Sequence, residues 1–342
     1  MGQALIKKNN KKKGVKFEIK EEYFIRNGGI LLQKQCALSQ GQDIGSRQLK
    51  VFSIEDMEGA TKCFDPDLIV GWGNGNVYKA IVDGHMVAIK ALVDLKPTPE
   101  LFDLVFTEVS TGMVMNHNNM VKIYGSCLET CLPIIVYEFL ENGCLFHCLH
   151  GGPSSNKNFN WSYRLRVATD IAYALSYMHN ALSKPVVHRN VHSEAILLDE
   201  SFHAQLANFG YCVMITPGES SQRWPLKGTP GYIDPEYVET QEVTDKCDVY
   251  SFGVLMLELL TRRQPLMMAN DGMELVDAFV SAVGDNSVME MIDKEVLEQG
   301  SRDEIEQFAQ LALKCVAKRG IKRPTIIEVV GELWLIQDVK RK

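Results

Sequence analysis

No apolar run in this 342-residue chain approaches the roughly 20 residues that a membrane-spanning helix needs. The longest in its C-terminal half, Val254 to Leu260, is interrupted by Glu258. No apolar signal-peptide core stands near the N-terminus, so the expectation is a protein made and kept in the cytosol. Nine cysteines without a secretory signal argue against a disulfide framework and point to reduced thiols, several of them buried. Cys127 and Cys131 are four apart, as are Cys144 and Cys148, but no His or further Cys completes either pair at a structural-zinc spacing. Packing is the better reading for them.

Surplus positive charge is also missing: the formal net charge is −7. It is unevenly spread. Residues 1–20 carry Lys at 7, 8, 11, 12, 13, 16 and 20 against Glu18, a net +6 that leaves −13 for the remainder. An acidic body offers no groove to nucleic acid. The basic segment has two readings, a solvated flexible tail or a peripheral membrane anchor in which a myristoyl group on Gly2 acts together with the Lys run. Ile6 stands where the acylation motif prefers Ser or Thr, which favours the tail.

What remains is globular in composition, 46% hydrophobic and 23% charged. Phe24, Ile25, Ile30, Leu31 and Leu32 form an amphipathic stretch suited to docking on the chain that follows, and a polar linker runs from Ser39 to Gln48. Ser53-Ile54-Glu55-Asp56 has the form of a capping box opening a short helix over Ile54 to Lys62. Strand-like runs follow at Leu68–Val70, Val77–Val82 and Met86–Leu92, the last two joined by the hairpin signal Asp83-Gly84. A helix over Leu101–Met115 and runs at Met120–Tyr124 and Ile134–Phe139 complete a mainly antiparallel-β region. Beyond Glu141 the period changes: Trp161, Leu165, Ala168, Ile171, Ala172, Leu175 and Met178 recur at three- and four-residue steps, one buried helical face.

Seven ordered blocks then carry a specific likeness: Val87-Ala88-Ile89-Lys90, Glu108, His188-Arg189, Phe209-Gly210, Gly228-Thr229-Pro230-Gly231-Tyr232-Ile233-Asp234-Pro235-Glu236, Asp248-Val249-Tyr250-Ser251-Phe252-Gly253 and Arg323-Pro324. In order and spacing they resemble a protein kinase domain over about residues 52 to 337. Asn116-His117-Asn118-Asn119-Met120-Val121-Lys122 and Gly125-Ser126-Cys127-Leu128-Glu129-Thr130 are similar to plant receptor-like cytoplasmic kinases of the wall-associated branch. The resemblance implies an α+β bilobal fold, a small mainly antiparallel-β lobe with one main helix and a larger, mostly α-helical lobe. The expected order is a basic flexible tail (1–20), a pre-kinase segment and linker (21–51), the small lobe (52–140) and the large lobe (141–342).

On this resemblance Lys90 pairs with Glu108 and meets the nucleotide phosphates, while Val77, Ala88 and Leu197 sandwich a purine and Tyr137 lies behind it. Gly112 replaces a bulky apolar member of the column that continues through His188 and Phe209. Gly71, Gly73 and Gly75 are a phosphate-loop remnant, because Gly71-Trp72-Gly73-Asn74-Gly75-Asn76-Val77 is one residue short of the kinase glycine pattern, or lacks its first two glycines when aligned without a gap from Val77. The catalytic loop departs further. Asn190 stands for the Asp that acts as base, His192 for a Lys, Ala195 for a metal-binding Asn, and Asn208 for the metal-binding Asp. Glu194, beside Ala195, is expected to face solvent rather than rescue metal binding. Asp248 and a Glu236–Arg323 pair are expected to be structural. In the polar segment Tyr211 to Lys227, Trp224 is either an exposed binding anchor or tucked against the large lobe.

The implied function is that of a catalytically impaired kinase-like adaptor in plant innate immunity. Phe24-Ile25-Arg26-Asn27-Gly28-Gly29, the Phe52-Ser53 lead-in and the absence of an ectodomain resemble pseudokinases that sit on a leucine-rich-repeat intracellular immune receptor and detect a pathogen effector or an effector-modified related kinase. No cofactor is then required, and ATP would bind without productive Mg²⁺. The alternative is a weakly active or atypical serine/threonine kinase.

Overall fold

The computed structural model describes residues 2–39, 49–71, 75–92, 96–151, 159–182, 184–215 and 223–338. The fold is α+β and divides into two units, residues 1–116 with 122–139, and residues 117–121 with 140–342.

The first unit contains α1 (Gly2–Ser39), β1 (Lys50–Phe52), α2 (Ile54–Ala60), β2 (Ile69–Gly71), β3 (Asn76–Val82), β4 (His85–Ala91), α3 (Pro99–Val114), β5 (Ile123–Cys127) and β6 (Ile134–Glu138). Its six strands form one sheet in the order β1-β5-β6-β4-β3-β2. Every pairing is antiparallel except that of β1 with β5, which is parallel and was not foreseen as a strand. A β-carbon on Gly125 would collide with the Lys50 carbonyl and the Phe52 ring, so only glycine lets β1 approach this closely. Strand alternation sends Tyr78, Ala80, Val87, Ile89, Ile134 and Val136 to a core shared with Phe52 and Met57. The other face of the sheet carries Val77, Ala88 and Lys90.

Helix α1 crosses the expected boundary at residue 20 and packs on α3. The side chains of the Lys run from 7 to 16 and the linker residues 40–48 lie outside the described residues. The docking face is not the apolar one the sequence suggests. Phe24, Ile25 and Leu32 are exposed, Leu31 is buried, and the principal contacts are made by Arg26, Asn27 and Lys34.

The second unit contains α4 (Leu145–His150), α5 (Trp161–Asn180), β7 (Val186–Val187), β8 (Ile196–Leu198), β9 (Ala204–Leu206), β10 (Val213–Met214), α6 (Pro235–Thr240), α7 (Asp245–Thr261), α8 (Pro265–Asn270), α9 (Leu275–Gly284), α10 (Val288–Met291), α11 (Lys294–Gln299), α12 (Arg302–Cys315) and α13 (Ile326–Asp338). The periodic apolar residues of α5, from Trp161 to Met178, are all buried. Arg164 on the same helix is buried too, and donates to the Leu259 carbonyl (2.9 Å), Asp293 (2.6 Å) and Glu295 (3.0 Å). Helix α7 is buried along nearly its whole length, so its two buried acidic residues, Asp248 and Glu258, must find partners inside the unit.

Candidate functional site

In the first unit, β3 and β4 are in register so that Val77 faces Lys90, and Ala88 on β4 faces Tyr137 on β6. Lys90 Nζ donates to Glu108 Oε2 at 2.8 Å, and the Tyr137 hydroxyl donates to Glu108 Oε1 at 2.5 Å. The three side chains are buried together, so one carboxylate of α3 is fixed by two strands at once. Burial, and then the Glu108 charge, push the Tyr137 phenol well above its ordinary range, which keeps it a donor. Sequence reasoning placed Tyr137 behind a purine but did not give it this bond. Gly112 lies one turn beyond Glu108 and is buried in α3.

Gly71 ends β2 opposite Val77, and the β2–β3 register shifts between Ile69 and Gly71. Gly75 has φ +137°, and a β-carbon there would stand 2.9 Å from Leu92 Cγ and 3.0 Å from the Ala91 carbonyl oxygen, so this position demands glycine. Gly73, with Trp72 and Asn74, lies outside the described residues.

In the second unit the 188–195 loop hangs on Asp248. Its Oδ2 accepts the His188 amide (2.7 Å) and His179 Nε2 (2.8 Å), and its Oδ1 accepts the Arg189 amide (2.8 Å). Although burial pushes this carboxyl up, His179 and these donors hold it below its ordinary value. The Asn190 amide donates to His188 Nδ1 (3.2 Å), so His188 Nε2 carries the hydrogen given to the Ala207 carbonyl (2.9 Å). The His188 ring stands edge-on to Phe209, 6.1 Å between centroids.

Asn190 itself is wired from two sides. The Thr229 hydroxyl donates to its Oδ1 (2.8 Å), which fixes the amide orientation and leaves Nδ2 to donate to His192 Nε2 (3.2 Å). His192 is buried, and desolvation lowers its pKa to about 4, so the ring is neutral. Ala195 is fully buried at the end of a short 3-10 turn, with Glu194 exposed beside it. Asn208 takes a left-handed conformation, φ +65°, ψ +54°, ahead of Phe209. Leu197 is half-buried on β8, opposite Gln205.

A second buried carboxylate supports the same loop from the other end of α7. Glu258 accepts from Ser193 Oγ (2.9 Å) and the Tyr232 hydroxyl (2.6 Å), and pairs with His150 Nε2 (2.8 Å). None of these roles was visible in sequence, because the partners are separated by up to 108 positions.

A protein kinase domain model matches residues 67–335. The chain belongs to the protein kinase family. Among similar proteins of Arabidopsis thaliana, wall-associated receptor kinase-like 1 is 38% identical over 324 residues, covering 93% of this chain and 43% of its own length. Wall-associated receptor kinase 3 is 37% identical over 331 residues, covering 95% of this chain and 44% of its own length. The chain therefore spans less than half the length of these relatives. No helix among the described residues is long and apolar enough to cross a membrane.

Two expectations about the rest of this kinase domain resolve differently. Arg323 pairs with Asp234, two bonds of 2.6 Å, and not with Glu236. Asp234 is the N-cap of α6 and turns inward, whereas Glu236, two residues on, accepts the Gly320 amide at 2.6 Å. Trp224 is tucked in rather than free. It packs beside Val187, Val213 and Tyr237, with the Arg189 guanidinium 5.5 Å from its ring. Ser220 and Ser221 lie outside the described residues.

Proposed function

We propose that this chain is a pseudokinase, a kinase fold that works by binding other proteins rather than by transferring phosphate. The observation that carries the reading is the wiring of residue 190. Its side chain is an amide that accepts from Thr229 and donates to a neutral imidazole. Such a group takes no proton from a substrate hydroxyl, a role worth about 10²- to 10⁴-fold in rate. The metal ligands fare no better: Ala195 offers a methyl group and Asn208 one neutral carbonyl, a donor set that does not fit Mg²⁺, which relies on carboxylate together with phosphate. Neutral His192 supplies no fixed charge where a Lys would steady the transferred group.

Retention of the Lys90–Glu108 pair, with Val77 and Ala88 in the first unit, supports a purine-accepting remnant that binds ATP without productive Mg²⁺ and requires no cofactor. The partners proposed from the family resemblance are a leucine-rich-repeat intracellular immune receptor, and a pathogen effector or an effector-modified receptor-like cytoplasmic kinase. The place of action is then the cytoplasm, or the plasma-membrane periphery if Gly2 and the Lys run act as an anchor. Purified chain should give background ³²P transfer from ATP, with activity returning only when Asn190→Asp, Ala195→Asn and Asn208→Asp are combined. Affinity purification from plant tissue should recover an immune receptor or a related kinase; recovery of neither counts against the adaptor role.

The intact Lys90–Glu108 pair favours one competing reading, a weakly active serine/threonine kinase. Transfer by the parent chain that Lys90→Met abolishes would establish it.

A further inference from the structure

Helix α1 reaches the rest of its unit through polar side chains assembled like a latch. Asn27 is 0% exposed, and its amide gives both hydrogens away, to the carbonyls of Leu128 (2.9 Å) and Thr130 (2.8 Å). Its Oδ1 accepts from Arg26 Nε (3.1 Å) and Nη2 (2.9 Å), and Arg26 Nη2 also reaches the Cys131 carbonyl (2.5 Å). The Arg26 guanidinium lies 4.9 Å from the Tyr23 ring and 5.1 Å from the ring of Phe102, which stacks on Phe106 of α3. Further along, Lys34 bonds Asp103 (2.8 Å) and Thr107 (3.1 Å), and Gln35 meets Met113 Sδ at 3.3 Å.

These contacts fasten α1 to the β5–β6 turn at one end and to α3 at Phe102, Asp103, Thr107 and Met113. Glu108 lies inside that span, on the helix the latch holds. A helix of this length owes most of its order to the surfaces packed against it. On the sheet side, Glu108 is met by Lys90 and Tyr137; on the other side α3 is met by α1.

We propose that Arg26 and Asn27 are positioning residues for the Lys90–Glu108 pair: by tying α1 to the β5–β6 turn and to α3, they keep Glu108 facing Lys90 without a nucleotide or a partner protein. The inference goes beyond the adaptor reading and stands whether or not the chain transfers phosphate. It also gives the Arg26-Asn27 dipeptide of the pre-kinase segment a physical task.

The test uses the full chain and the rate at which an amine-reactive N-hydroxysuccinimide ester acylates Lys90, followed by mass spectrometry relative to exposed Lys62 in the same molecule. Asn27→Ala leaves the buried Leu128 carbonyl and the part-buried Thr130 carbonyl without their donor, so a form in which Glu108 has left Lys90 should gain population and Lys90 labelling should rise on the order of tenfold. Arg26→Ala should do the same. Ile25→Ala, on the 66%-exposed side of α1, should label at the parent rate. Glu108→Gln sets the rate for a broken pair. A fall in Tm in Asn27→Ala and Arg26→Ala with Lys90 labelling unchanged well below Tm would overturn the proposal, leaving the latch a purely structural contact. Should Asn27→Ala fail to fold, Arg26→Lys, which keeps the charge and loses the fork, gives the same reading, and an unchanged Lys90 rate in it overturns the proposal equally.

Discussion

Asn190 and His192 behave as one unit, because the donor of one is matched to the acceptor of the other. In Asn190→Asp the Thr229 hydroxyl can still donate, but an acceptor-only carboxylate now faces the acceptor nitrogen of His192. The ring should take up a proton, and its pKa should rise from about 4 past its ordinary 6.5. An NMR titration of the imidazole checks this; a ring still neutral at pH 5.5 would show the wiring to be otherwise. The parent ring also makes stability depend on pH. The unfolded chain binds this proton near 6.5 and the folded chain only near 4, so the contribution is fully present above 6.5 and is lost as pH falls toward 4. The loss is on the order of 3 kcal/mol. Urea midpoints measured across that window should fall less in His192→Gln than in the parent, and the two slopes should coincide above pH 7.

At the level of elements, the parts legible in sequence are those whose signal is local. Ser53 and Asp56 make the expected capping box, Ser53 Oγ accepting the Asp56 amide (3.1 Å) and Asp56 accepting the Ser53 amide (3.0 Å). The β3–β4 hairpin turns at Asp83 and Gly84, both with positive φ, as the dipeptide announces. Helix α2 stops at Ala60, short of Lys62, because Lys62, Cys63 and Phe64 are all left-handed. Strand β1 was invisible, since three residues hold no period and its partner lies some 75 positions away. Helix α1 was legible as a docking helix but on the wrong face, because apolar periodicity gives no warning when Arg and Asn make the contact. Gly125→Ala tests the β1 pairing: overpacking against the Lys50 carbonyl should cost about 1 to 3 kcal/mol in chemical denaturation and speed hydrogen exchange in β1. Equal exchange rates in the two proteins would mean that β1 tolerates the methyl group.

Across the whole molecule, the buried ion pair that ties α6 to the segment before α13 is made by Asp234, while Glu236 makes a longer, more exposed pair with Arg319 (3.5 Å). Asp234→Ala leaves the Arg323 guanidinium buried without its carboxylate and should lose about 3 to 5 kcal/mol, whereas Glu236→Ala, which gives up the hydrogen bond from Gly320 and the exposed Arg319 pair, should lose about half as much. A reversed order in thermal unfolding would restore the Glu236 assignment. The family and the α+β fold could be read from seven short blocks because all but the single Glu108 are contiguous runs. What could not be read is how residues far apart in the chain meet: Thr229 with Asn190, Tyr137 with Glu108, and Glu258 with His150, Ser193 and Tyr232. Those meetings explain how a kinase loop can carry three unusual residues, at 190, 192 and 195, and keep its path. Asp248 grips backbone amides and Glu258 grips Ser193 and Tyr232, and neither touches the side chains at 190, 192 or 195. Shape and chemistry are thus written on separate residues, so the side chains at 190, 192 and 195 can be exchanged, in nature or at the bench, without moving the line they stand on, the first two as a coupled pair.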